Sequence, residues 1–195
     1  MGKVLAETKL FAGYGNTEMP LGSYALLMGV YGSALAGYFA WRGGRGRSAF
    51  PRMGVEDVAL FGLATHKVTR ILAKDFVTAP LRAPFVRFES TDRASEVSES
   101  SRGRGLRRAV GDLLSCPFCL GPWVAGALAC LHAVRPREAR LVASIFALTT
   151  LSDFLQRSYE WMGQELKRTR ERAEALEVSE VSEGSLREPE PTRTH

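Results

Sequence analysis

The chain has 195 residues, 45% hydrophobic and 24% charged, with a formal net charge of +5. Such bulk values fit a soluble globular domain, but the charges sit in blocks and long stretches carry none. Arginine-rich loops account for the positive balance, so it calls for no nucleic-acid partner.

Residues 1–19 form a polar-to-mixed arm. Residues 20–41 contain no Asp, Glu, Lys or Arg. About 22 residues make roughly 33 Å of helix, enough for a hydrocarbon core of about 30 Å. The stretch has no polar face to turn toward water. Its small triplet Ala34-Leu35-Ala36 lies inside the apolar run, and a nearly neutral segment precedes it, so an uncleaved anchor is expected rather than a signal peptide. Small residues recur every fourth position at Ala25, Gly29, Ser33 and Gly37, beside a second row at Gly32, Ala36 and Ala40. Such rows let another helix approach closely. Tyr24, Tyr38 and Trp41 sit near the ends, where aromatic side chains meet a membrane interface.

A glycine-rich loop with Arg42, Arg45, Arg47 and Arg52 follows. Residues 55–73 then read as a second helix, with Glu56 and Asp57 in the first turn, where the helix dipole favours acids. Val58, Phe61, Thr65, Val68 and Leu72 share one mainly apolar stripe, interrupted late by His66, Lys67 and Arg70. This helix either crosses a bilayer with its cations snorkelling or lies half-inserted. Residues 74–89 carry Pro80 and Pro84 and are expected to be extended. Residues 90–105, rich in Ser, Glu, Arg and Gly, read as a disordered insert. Helical spacing resumes over 106–114. Residues 117–134 form a third, charge-free span, and 141–156 a fourth with one charge, Asp153. The tight turn between them makes these two antiparallel. A charged helical extension and a solvated tail occupy 158–195.

Lysine and arginine favour the cytoplasmic side. The basic segments 74–115 and 157–172 are separated by two spans and so lie together inside, with the C-terminus. The arginine loop at 42–52 conflicts. If 55–73 crosses, that loop is outside and the N-terminus inside; if it only dips, the reverse holds.

Several short motifs resemble a bacterial family of membrane proteins catalogued as domain of unknown function 1360, one that includes a Bacillus sporulation protein. They are Thr65-His66-Lys67-Val68-Thr69-Arg70-Ile71-Leu72, then Asp75, Thr78 and Pro80-Leu81-Arg82. Further on come Cys116-Pro117-Phe118-Cys119-Leu120-Gly121-Pro122-Trp123 and Ser152-Asp153. The resemblance covers roughly 55–157 with the insert as a gap, and leaves 20–41 as an additional transmembrane helix. It implies that 55–73 is membrane-embedded, giving four helices in all. The family carries no established activity, so no reaction and no cofactor come with it.

Three constellations are candidates for chemistry. Cys116 and Cys119 stand at a helix start, where amide N–H groups and the dipole favour a thiolate. They suit a redox pair; as half a metal site they lack completion, because no second Cys-x-x-Cys or His-x-x-x-His accompanies them. They also suit simple tight packing. His66, Lys67, Arg70, Lys74 and Arg82 are placed to cradle a phosphate, most simply a lipid headgroup, or merely to anchor the helix. Asp75 can pair with Arg70 or Arg82, with Thr78 in the same turn. Asp153 is an acid within an apolar run, either paired or part of an ion path. No Walker-type loop, His-Glu-x-x-His or Gly-x-Ser-x-Gly is present.

The expectation is therefore an all-α integral membrane bundle of four helices in a bacterial cytoplasmic membrane, multi-pass, with a cytoplasmic C-terminus. Its partners are membrane lipid and other membrane proteins or further copies of itself. Its expected role is non-enzymatic, through a basic cytoplasmic face. The alternatives are a membrane thiol–disulfide oxidoreductase using Cys116 and Cys119, or a small transporter with Asp153 in its path.

Overall fold

The computed structural model describes residues 19–46, 52–93 and 96–186, with side chains omitted at 92–93 and 176–186. The elements are α1 (Leu21–Gly43), α2 (Val55–Lys74), a 3-10 turn (Phe76–Thr78), α3 (Ala79–Arg82), β1 (Val86–Arg93), β2 (Glu96–Ser101), α4 (Leu106–Ser115), α5 (Pro117–Val134) and α6 (Pro136–Leu186). The chain divides into two units at Thr150/Leu151.

In the first unit α2 packs along α5 in the opposite direction. At one end, Asp57 in the first turn of α2 receives the Arg140 guanidinium at 2.7 Å from the start of α6. Asp57 also accepts the Gly54 N–H at 3.4 Å, which caps the helix start. Between them the core gathers Phe61 and Ala64 of α2, Leu128 of α5, and Ala139 and Ala143 of α6. Farther along, the Thr150 hydroxyl donates to the Leu63 carbonyl at 3.1 Å. Tyr24 and Tyr31, two turns apart on α1, meet Asp112 of α4 and Pro122 of α5, so α1 runs parallel to α5. The four long helices thus alternate in direction. The end of α1, the start of α2 and the α5–α6 junction share one end; the hairpin and α4 share the other.

Four expectations need correction. The fold is predominantly helical but not all-α, because β1 and β2 pair antiparallel, with Phe88 opposite Glu99 and Thr91 opposite Val97. Residues 90–105 supply most of that hairpin rather than a disordered insert. Val86 and Val97 are buried, at 3% and 1% exposure, and β2 packs on α4. Glycines with positive φ at Gly103 and Gly105 make the tight return into α4. Residues 74–89 are not simply extended: Pro80 occupies the first turn of α3, where its missing N–H breaks no hydrogen bond.

The fourth correction concerns the spans. Among the described residues one helix, Pro117–Val134, is long and apolar enough to cross a membrane, with a mean hydropathy of 1.5. Glycines, tyrosines and serines dilute α1, and charges dilute α2 and α6. The small residues of α1 do not serve as its packing row either. A Cβ added at Gly29, Gly32 or Gly37 would meet nothing within 4 Å. Close approach occurs instead at Gly126 of α5, whose Cβ would come 3.1 Å from the Tyr31 hydroxyl. On α6 the buried row is Ala139, Ala143 and Ala147, again spaced by four.

The second unit, residues 151–195, is helical as far as Leu186. Its helix surface carries charge pairs one turn apart, among them Lys167 with Glu171 at 3.9 Å and Arg170 with Glu174 at 3.1 Å.

Candidate functional site

The motif residues around the end of α2 are drawn into one network. A helix ends with carbonyls that lack intrahelical partners. Here Arg82 reaches back from α3 and donates to the Leu72 carbonyl at 2.7 Å, to the Asp75 carbonyl at 3.1 Å and to the Thr78 hydroxyl at 2.7 Å. Its other edge meets the Glu99 carboxylate of β2, with Nε to Oε2 at 2.7 Å and a second contact at 3.3 Å. Arg82 is 1% exposed and the Glu99 side chain 5%. Thr78 donates to the Ile71 carbonyl and, at 3.0 Å, to that of Asp75. Arg70 pairs with Glu96, and Asp75 bridges to Glu96 through the backbone.

This arrangement can lock the hairpin onto α2; it does not hold out a cluster of cations. Arg82 and Arg70, two members of the expected phosphate cradle, face protein carboxylates and carbonyls. His66 is exposed, and Lys67 and Lys74 are half-buried on α2. Asp75 contributes its backbone rather than a side-chain pair with Arg70 or Arg82. Asp153 is half-buried in the second unit, four residues before Arg157.

A second cluster lies between α1, α4 and the hairpin. Tyr24 donates to Asp112 Oδ2 at 2.5 Å, and Ser101 donates to Oδ1. Asp112 forms part of an open polar cleft of ≈ 380 Å³ whose wall also includes Glu99, Arg108 and Ser115. The helix α4 can press against this strand end because position 111 is glycine. A Cβ there would lie 2.6 Å from the Phe85 carbonyl and 3.1 Å from the Ser101 Cβ.

Directly after α4 comes the cysteine pair. Cys116 is the N-cap of α5, in extended conformation, and Pro117 opens the helix. The Cys119 N–H donates to Cys116 Sγ at 3.3 Å, and the Cys119 thiol donates to the same sulfur at 2.6 Å. Both are free thiols, Cys116 half-buried and Cys119 exposed, and Asp112 lies within electrostatic reach of Cys119. No group of three or more His, Cys, Asp or Glu placed to hold a metal occurs among the described residues.

Sequence reasoning missed Glu96, Glu99, Ser101, Tyr24 and Asp112 as polar partners. Alternation around Val97 within the Ser/Glu stretch is the signal that was available. His132 of α5 is a further buried polar residue. It is 5% exposed and packs edge-on to Phe61 at 5.1 Å between ring centres.

The comparisons bear on this same region. The family described as "Protein of unknown function (DUF1360)" matches residues 60–159, from within α2 through the hairpin and α5 into α6. The chain is similar to Sporulation protein YjcA of Bacillus subtilis (strain 168), 32% identical over 102 residues, which cover 51% of this chain and 86% of the relative. No solved structure matches. The match takes in the Arg82–Glu99 lock and both cysteines, and leaves out α1. The chain belongs to the DUF1360 family of proteins of unknown function.

Proposed function

We propose that the protein is a multi-pass component of a bacterial cytoplasmic membrane whose basic cytoplasmic face docks, without catalysis at that face, with partner proteins or anionic lipid. The observation that carries this reading is the set of large apolar side chains left exposed along the helices of the first unit. Leu26, Met28 and Val30 of α1, Phe118 of α5 (91% exposed), and Leu141, Ile145 and Leu148 of α6 are all exposed. Large apolar side chains exposed in such number are unfavourable against water and favourable against lipid tails.

The alternating helix directions are those that four crossings require, α2 included, although by composition α5 alone among the described helices is apolar enough to cross. The start of α1, the hairpin and α4 then lie on one side. The charge rule puts that side in the cytoplasm. Arg87, Arg104 and Arg107 are exposed there and supply the basic face. That Arg70 and Arg82 serve the fold supports a docking role over catalysis at the α2 motif.

The test is alkaline extraction of membranes from bacteria expressing the full chain. The protein is expected to stay in the membrane pellet. Release into the supernatant, as for a peripheral protein, overturns the reading.

A further inference from the structure

We propose that Cys116 and Cys119 form a reversible dithiol–disulfide site whose substrate is the disulfide of a second molecule. Three observations on this chain support it, and none depends on how many helices cross a membrane. The first is mutual placement: the Cys119 thiol lies 2.6 Å from Cys116 Sγ. The two sulfurs therefore need little motion to bond. Cys116 is already extended at the helix cap and Pro117 fixes the next φ, so the backbone need not rearrange.

The second is access. Cys119 is exposed and Cys116 half-buried, whereas cysteines that only fill space are buried and inert. The third is the polar setting. Asp112 and Ser115, four residues and one residue before Cys116, line the open cleft, and the Tyr24 hydroxyl is held on Asp112 at 2.5 Å. A metal role is disfavoured because no third ligand stands with them among the described residues.

The reaction balances as ordinary exchange. One cysteine, as thiolate, attacks a sulfur of the incoming disulfide. A mixed disulfide forms, the incoming S–S bond breaks, and one thiolate leaves. The second cysteine, as thiolate, attacks the mixed disulfide at the first cysteine's sulfur and expels the other thiolate. The Cys116–Cys119 disulfide is then formed by loss of two electrons, and the substrate is reduced. The two protons released by the cysteines end on the substrate's two thiolates. The reverse sequence oxidises a substrate dithiol.

The full chain carrying Cys130→Ser is purified in detergent and treated with glutathione disulfide or, separately, with insulin as a protein-borne disulfide. Thiols are counted by maleimide gel shift and intact mass. The expected result is loss of both maleimide shifts and of two hydrogens in mass, within one chain, restored by dithiothreitol. The faster of the two reactants identifies the substrate as small or protein-borne. Cys116→Ser and Cys119→Ser chains are each expected to stop at a stable glutathione adduct. The proposal is overturned if both thiols persist, if oxidation links two chains instead, or if the two-cysteine chain also stops at glutathione adducts.

Discussion

Removing the Arg82 guanidinium would leave the Glu99 carboxylate buried without a counter-ion and free the Leu72 and Asp75 carbonyls. Breaking a buried pair on one side costs about 3–5 kcal/mol. Arg82→Ala is therefore expected to lower the thermal midpoint of the detergent-solubilised protein sharply. Arg82→Ala combined with Glu99→Ala should cost less than the two single changes added together. Additive losses would show that the two side chains do not act as a pair. The cysteine pair was legible in the sequence because its geometry is local, two residues within one helical turn. The role of Arg82 was not, because its counter-ion lies 17 residues on in a stretch whose composition signals disorder. Positive charges near an apolar helix read as ligands or anchors when the acids that meet them cannot be placed.

At the scale of elements, the helices follow from periodicity and capping, and most were readable. Asp57 closes the start of α2, Pro117 opens α5, and Ala139, Ala143 and Ala147 line the buried side of α6. The hairpin was hidden because its anchors, chiefly Val86, Val97, Glu96, Glu99 and Ser101, sit within a polar ribbon. Its fit depends on Gly111, whose Cβ would overlap the Phe85 carbonyl at 2.6 Å. A backbone atom cannot give way as a flexible side chain can. Gly111→Val should cost about 1–3 kcal/mol by overpacking and lift the hairpin from α4. Limited proteolysis would register this as faster cutting within 86–101. An unchanged cutting rate would mean that the hairpin is held by its ion pairs alone.

For the molecule as a whole, charge left the sequence reading divided, since both sets of connecting segments are basic. The seven cations at 42–52 and 135–140 nearly match the eight at 74–108. What resolves the arrangement within the first unit is contact between residues far apart in the chain, such as Asp57 with Arg140 and Tyr24 with Asp112. Composition carries no trace of such pairs. The four-crossing arrangement predicts that Arg104→Cys and Arg137→Cys, each exposed, lie on opposite sides of the membrane. In a chain free of its natural cysteines, an impermeant maleimide should label Arg137→Cys in intact cells and Arg104→Cys only once the membrane is opened. Labelling of both from the same side contradicts that arrangement.

The lock at the end of α2 also sets an order of assembly. Arg82 and Glu99 are 17 residues apart, while the side-chain contacts that tie α1 to α4 and α6 to α2 span more than 80. Short loops close at less entropic cost than long ones. As the chain emerges from the ribosome, α2 and its hairpin can clasp before α5 has been made. The newborn helix then awaits its partners with one end already tied off and its free carbonyls hidden. The segment that looks most dispensable by composition is thus the one that finishes first and holds the rest of the chain in readiness.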